Sequence, residues 1–431
     1  MSSPLLTPNT AIIVPFYAQT VGVSTEVFRY CGSERYIRRQ FQAGDRGKIH
    51  TGAGRISVEF CNDIENDKSE QRVSIDSRMN SEMPLKRLAR FPGMRVLAWV
   101  GTDLYASRGY TVFRARVEDL RKLEWQTVAN FRPALRRRLS VTNRLTARLF
   151  RDGFHALAVL PTGAIIGAVP GSIVTLGGGD AEFHQSHVIT RGTRPLHITA
   201  VPQGTIYWGE YFDNPHRNEV HIYASADAGQ TWHVAYTFPR GAIRHVHNIV
   251  HDPWEDCLWI LTGDYADECR ILRASCDLSQ VEIVIKGNQQ ARAVAAVPTE
   301  HALYFSSDTP LEANHIYRLD RQERLTRVSS ITSSSIYGCR AGSRLFFSTM
   351  VEPSKANPDR NVRLYGADIS NPESWRSFLG WQKDPLPKGL FQYGNAFLPD
   401  GNNTSSFLAL STIAVESDDQ CTSLYALDDP V

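Results

Sequence analysis

The stretch Arg244-His245-Val246-His247-Asn248-Ile249-Val250-His251-Asp252 places three histidines within seven positions. Histidine is the side chain whose ordinary pKa lies closest to neutrality, so such a stretch suits either general acid–base chemistry or metal ligation. Spacing limits the second option. On an extended strand His245 and His247 point to the same side, whereas His251 lies roughly 20 Å from His245 at about 3.3 Å per residue. A three-histidine metal site within this stretch alone is therefore not expected, and no metal is assigned. Were a divalent ion bound, its expected ligands are His197, His245 and His247.

The positioning elements follow from an internal repeat. From about residue 86 an apolar run ends in a Pro/Gly turn, a second aromatic-rich run follows, and then come a polar loop and two further short runs. Seven such units open at MRVLAWVGTDLYA, FHALAVLPTGAII, RPLHITAVPQGTIYW, IRHVHNIVHDPWEDCLWIL, ARAVAAVPTEHALYF, SIYGCRAGSRLFF and QYGNAFLPDGNNTSSFLAL. Their runs are rich in Val, Ile, Tyr, Phe and Trp, the residues that suit a pleated, half-buried surface. Four short strands recurring about every 45–50 residues predict an all-β chain, a seven-bladed β-propeller of four-stranded antiparallel blades.

Residues 86–431 form this propeller in the sequence reading, and residues 1–85 an N-terminal segment that packs on it or closes it. A strand within residues 1 to about 80, such as AIIVPFYA or RISVEF, is expected to complete the last blade. Residues 132–151, RPALRRRLSVTNRLTARLFR, carry seven arginines and no acid. Leu135, Leu139, Leu145 and Leu149 recur at helical spacing, which predicts a short basic helical insertion packed on the rim with a solvated arginine face. Peripheral contact with an anionic membrane is the alternative.

Bulk properties exclude several classes. Lys plus Arg number 47 against 45 Asp plus Glu, which gives no general nucleic-acid surface. The start shows no secretory signal and no apolar run is long enough to span a membrane, so a cytoplasmic location is expected. Seven cysteines at scattered positions contain no CxxC pair, against a structural zinc site. Phosphate-loop, dinucleotide and Ser-His-Asp motifs are absent.

Aligning the units on their turns (Pro161, Pro202, His251, Pro298, Ser343 and Pro399) puts His155, Leu196 beside His197, His245, Arg292, Tyr337 and Tyr393 six places upstream. The first strand of a propeller blade lines the channel, so these residues are predicted to ring one mouth of it. Loops after the second strands open on the same face and add Glu210, Tyr211, Asp213, Asp264, Asp308, Glu312 and Glu352.

Ser225-Ala226-Asp227-Ala228-Gly229-Gln230-Thr231-Trp232 resembles the Asp-box, S-x-D-x-G-x-T-W, of sialidase-type propellers. The resemblance implies a hairpin between the third and fourth strands of a blade, shaped by Asp227 and Gly229, with Trp232 packed between blades. ASCDLSQVE and ADISNPESW are degenerate copies. The Phe/Tyr-Arg-Ile-Pro motif of true sialidases is missing and the units number seven rather than six. The chain is therefore more similar to the seven-bladed carbohydrate-active propellers that include uronate-polysaccharide lyases and related glycosidases.

No catalytic motif carries over residue by residue, so the role is argued from position: the ring of His, Tyr and Arg suits action on an acidic, uronate-containing polysaccharide or oligosaccharide, and no cofactor is expected. β-Elimination is the first expectation: Arg292 or Arg244 neutralises the uronate carboxylate, His245 or His247 takes the C5 proton, and Tyr337 or Tyr393 protonates the leaving oxygen. His155, His197, Arg244, Glu210, Tyr211, Asp264 and Asp308 are the expected substrate-binding residues. The alternatives are glycoside hydrolysis by Glu210 with Asp264 or Asp308, and a non-catalytic glycan-binding propeller of exopolysaccharide assembly.

Overall fold

Short strands separated by tight turns pair with their neighbours in sequence, and that rule builds most of this molecule. The computed structural model describes residues 85–427 apart from Pro353, together with the backbone of five short strands between Gln19 and Ser57. The chain divides into two compact units, Met1–Ser77 and Arg78–Val431. In the first, Gln19–Thr20, Val23–Phe28 and Ile37–Gln42 form an antiparallel sheet, and Lys48–Thr51 pairs with Gly54–Ser57. The expected strand AIIVPFYA lies outside the described residues.

The second unit is a seven-bladed β-propeller of four-stranded antiparallel blades. The innermost strands of blades 1 to 7 are Arg95–Gly101, Ala156–Val159, Thr199–Ala200, Val246–Asp252, Ala293–Pro298, Ser335–Ala341 and Asn395–Phe397. Each blade is hydrophobic on both faces, so it must bury both against neighbours. The described core accordingly resolves into seven apolar clusters, one between each pair of adjacent blades. Trp208 of blade 3, for instance, stacks on Tyr223 with ring centroids 4.3 Å apart and packs in the cluster shared with blade 2.

Ring closure differs from expectation. The outermost strand of blade 7 is Arg87–Pro92, pairing antiparallel with Cys421–Ala426, and not a strand from residues 1 to about 80. That short, arginine-rich segment, RLARFP, lacks the apolar alternation that marks the other strands, because an outermost strand buries little. Closure removes the open edges between the first and last blades.

A further strand, Asp400–Asn403, leaves blade 7 and runs parallel to Arg95–Gly101 along its free edge. Since the other edge of Arg95–Gly101 is occupied by Asp103–Arg108, the added strand sits on the channel side. Gly401 makes this possible: its φ is +89°, and a Cβ there would come within 2.3 Å of the Trp99 carbonyl oxygen.

Turns between third and fourth strands share one device. In blade 3 the Asp227 carboxylate accepts from the backbone N–H of Gln230 (3.1 Å) and Thr231 (2.9 Å) and from the hydroxyls of Ser225 and Thr231. Trp232 donates its indole N–H to Ser186 Oγ of blade 2 at 3.1 Å. Asp277 of blade 4 and Asp368 of blade 6 also shape their turns, but by accepting from the backbone N–H two residues on, that of Ser279 and of Ser370.

The insertion between blades 1 and 2 is a helical hairpin, α1 (Leu135–Ser140) and α2 (Arg144–Phe150). Arg132, Arg136, Arg138, Arg144 and Arg151 are solvated as expected, but the leucines do not form the docking face. Arg148 is 0% exposed, whereas Leu135 and Leu139 are 67% and 60% exposed, with Leu145, Leu149 and Phe150 also open. The cause is a charged socket: Arg148 donates to Asp384 (2.5 Å), Asp419 (3.3 Å) and the Phe391 carbonyl (2.6 Å). Arg137 and Arg144 also pair, with Asp152 and Asp419, so ion pairs rather than leucines dock the hairpin. Among the described residues no helix is long and apolar enough to cross a membrane.

Candidate functional site

Residues entering the innermost strands and those leaving the second strands meet at one mouth of the channel, in two clusters. The first is built on blades 3, 4 and 5. The ladder between Val246–Asp252 and Cys257–Thr262 slips between Val246 and Asn248, leaving His247 at a bulge. Such a bulge re-aims a side chain, and here the His245 and His247 rings converge, with their Nε2 atoms 3.1 Å apart. Each Nδ1 meets a backbone carbonyl, Phe212 O at 3.0 Å for His245 and Ala293 O at 2.8 Å for His247. A carbonyl can only accept, so both rings carry their proton on Nδ1.

Asp264, which follows the second strand of blade 4, closes the triangle. Its Oδ2 is 3.6 Å from His245 Nε2 and its Oδ1 is 3.5 Å from His247 Nε2. The same carboxylate receives Arg244 at 3.1 Å and Arg292 at 3.3 Å. Burial opposes the Asp264 charge, but contacts from His245 and His247 outweigh it and hold the carboxyl far below the usual range. Burial likewise pushes His247 down to about 4, only partly offset by Asp264, so its ring is neutral at pH 7.

Asp308, at the matching position of blade 5, has the opposite character. Burial raises its carboxyl to about 7, against the pull of Arg292 3.5 Å away, and the charge of Glu352 adds to the rise. Tyr211 lies over His245 with ring centroids 4.3 Å apart, and burial pushes its phenol up to about 12. Arg292 thus touches two carboxylates with widely separated pKa values, a pattern found where acid and base roles are divided.

The second cluster is built on blades 1, 2, 3, 6 and 7. Arg95 donates to the His155 carbonyl at 3.3 Å and lies 3.8 Å from the Phe397 ring centre. Arg194, in the loop before the first strand of blade 3, is lowered to about 10 by burial and then by repulsion from Arg95. Neither arginine forms an ion pair among the described residues; the Asp400 charge reaches Arg95 only at longer range. His155 is held well below its ordinary range by burial and by both arginines. His197 donates or accepts at Asp400 Oδ2 (3.0 Å), and the Tyr337 ring sits 6.1 Å from it, edge-on.

Several expectations need correction. Glu210 is not a rim acid: its carboxylate receives Arg191 Nε (2.8 Å) and Nη2 and the His221 backbone N–H (2.8 Å), and it is 3% exposed. Arg191 lies five residues before the aligned position Leu196, and its pairing ties up the Glu210 carboxylate. The Nε2 atoms of His245 and His247 face each other and Asp264, so neither is turned outward as a free base. Tyr337 makes its contacts with Arg95, His197 and Phe397 in the other cluster, which separates the expected base from the expected acid. His197 belongs with Asp400, and Asp264 stands in the place foreseen for it beside the histidine pair. His251 sits near the far end of its strand, 3.5 Å from Asp256 Oδ1. Tyr393 is half-buried, where Glu352 raises and Arg151 lowers its pKa around a burial effect that dominates.

Two residues of the second cluster, Arg95 and Arg194, lie outside the sequence expectation. Arg95 occupies the ring position in blade 1, six residues before Gly101, but that unit has a Gly-Thr turn without proline and was left out of the alignment. Arg194 lies in a loop, where no strand register applies.

No protein-family profile and no curated protein sequence matches the chain. Solved structures do. A chain of a mitotic checkpoint complex is 10% identical with a TM-score of 0.51, over 87% of this chain and all of that one. An extracellular domain from B. thetaiotaomicron is 9% identical with a TM-score of 0.50, over 81% of this chain and 43% of that one. At such identities the likeness shows the propeller fold alone. The WD40 propeller domain of Doa1, 9% identical over 81% of this chain, scores 0.48.

Proposed function

We propose that the channel mouth binds an acidic saccharide of the uronate class and cleaves it by β-elimination. The observation that carries this reading is the pair Arg95 and Arg194, two neighbouring cations at the mouth that form no ion pair among the described residues. Like charges kept close in a partly desolvated setting cost stability, and an anionic ligand would offset that cost. A uronate chain bears one carboxylate per sugar, which suits two cationic positions, Arg95 with Arg194 and Arg292 with Arg244. The turn at Ser225–Trp232 supports the carbohydrate class, because its hydrogen bonds are those the Asp-box resemblance implies.

In the proposed reaction an arginine neutralises the carboxylate and so acidifies the C5–H bond. Asp308, poised near 7, takes that proton; the electron pair forms the C4–C5 double bond and the C4–O bond breaks. Tyr211, which stays protonated, donates to the departing oxygen. Hydrolysis is less favoured, since Glu210 is locked to Arg191 and Asp264 is already met by two imidazoles and two guanidiniums.

The test is incubation with uronate-containing polysaccharides, following the absorbance of an unsaturated uronyl product. Elimination predicts that chromophore, with loss in Asp308→Asn and Arg292→Met. New reducing ends without the chromophore would replace elimination by hydrolysis, and binding without either would leave a glycan-binding module.

A further inference from the structure

His245 and His247 bring two imidazole Nε2 atoms into direct contact. With Nδ1–H of each ring committed to a backbone carbonyl, both Nε2 lone pairs point into the same space at 3.1 Å, with a carboxylate as third wall. Three such atoms facing one another are held together by a cation between them, whether a proton or a metal ion. We infer that His245, His247 and Asp264 bind a divalent transition-metal ion of the zinc class.

The dimensions agree. Ligand atoms about 2.05 Å from a tetrahedral ion are separated by about 3.3 Å. The three edges here are 3.1, 3.5 and 3.6 Å, the last two to the two oxygens of Asp264. Two imidazoles and one carboxylate are a donor set suited to Zn²⁺, Co²⁺, Mn²⁺ or Fe²⁺, and three protein ligands leave room for water or a ligand oxygen. The surroundings are also those of a metal site. Each ligating ring would donate its other N–H to a carbonyl, which fixes tautomer and orientation. His245, His247 and Asp264 are all buried, so the geometry is preorganised.

Arg244 and Arg292 share the Asp264 carboxylate and oppose a cation, so affinity should be moderate in the free protein and rise when an anion binds beside them. The inference rests on these distances and not on the saccharide reading; a metal can bind whether or not uronates are cleaved. In the elimination scheme the bound ion would assist Arg292 in neutralising a carboxylate.

The full-length protein, freed of metal by a chelator, should be titrated with Co²⁺ and the visible spectrum followed, then competed with Zn²⁺. One ion per chain is expected, lost or weakened at least about a hundredfold in His247→Ala and in Asp264→Asn, and unchanged in His251→Ala. As a measurement independent of any variant's folding, X-ray absorption of the Zn²⁺-loaded wild type should show nitrogen and oxygen neighbours only, at about 2.0–2.2 Å. Absence of stoichiometric binding would overturn the inference. So would a sulfur neighbour, which would place the ion at His251, Asp256 and Cys276 or at Asp252, Glu255 and Cys257 instead.

Discussion

Removing Arg194 should make the protein more stable and its ligand affinity worse. The side chain is held at about 10 rather than 12.5, first by burial and then by Arg95. At pH 7 it is charged in both folded and unfolded states, so the full penalty for that charge is present. At about 1.4 kcal/mol per tenfold, the lowering corresponds to roughly 3 kcal/mol. Because Arg194 is partly open to solvent, about 1–2 kcal/mol is the discounted expectation for Arg194→Met, which keeps much of the apolar stem. Urea unfolding at pH 7 should therefore show a higher midpoint with an unchanged slope. Titration with an oligouronate should show the opposite change, a loss of about 1.5–3 kcal/mol, or roughly 10–150-fold in Kd, as expected for one charge-assisted contact. Destabilisation by more than about 1 kcal/mol would refute the reasoning, because it would mean that Arg194 serves the fold.

Three other outcomes follow from particular contacts. Arg148→Met should destabilise by about 3–5 kcal/mol in urea unfolding, since it removes the buried partner of Asp384 and Asp419; a change under 1 kcal/mol would show that their other partners, Lys383 on Asp384 and Arg144 on Asp419, suffice. The Asp308 carboxyl, raised to about 7, binds its proton more tightly in the folded state, so its contribution to stability is full below about pH 4 and is lost as pH rises to 7. Asp308→Asn should flatten that decline, by about 2–4 kcal/mol between pH 4 and 8, and an unaltered pH dependence would contradict it. Glu210→Gln should cost about 2–3 kcal/mol of stability by leaving Arg191 unpaired, yet keep oligouronate affinity within about threefold; a selective loss of turnover would restore Glu210 as a reacting group.

The blade count was legible because the turn between first and second strands recurs at a near-constant period and each unit repeats its apolar runs. The closing strand was not. Arg87–Pro92 exposes one face and pairs on one edge, so RLARFP carries no alternation to read. The mouth residues were legible wherever the turn could be aligned, as for His155 before Pro161 and Arg292 before Pro298, and illegible at Arg95, whose Gly-Thr turn offers no such anchor. Orientation of the hairpin could not be read either. Leucine spacing sets a face, but the Asp384 and Asp419 socket that buries Arg148 comes from residues more than 230 positions away in sequence. The same holds for Glu210, whose role depends on a partner in a loop, and for the bulge at His247, which turns two parallel side chains towards one another.

Calorimetric titration with a matched pair of ligands, an oligouronate and its methyl ester, tests the central claim most directly, since they differ only in charge. The wild type should bind the acid, with affinity that falls as salt is raised, and bind the ester at least about fiftyfold more weakly. The Arg95→Met/Arg194→Met double variant should lose that preference. Equal affinity for acid and ester, or a preference that survives the double substitution, would contradict an anion site at the channel mouth.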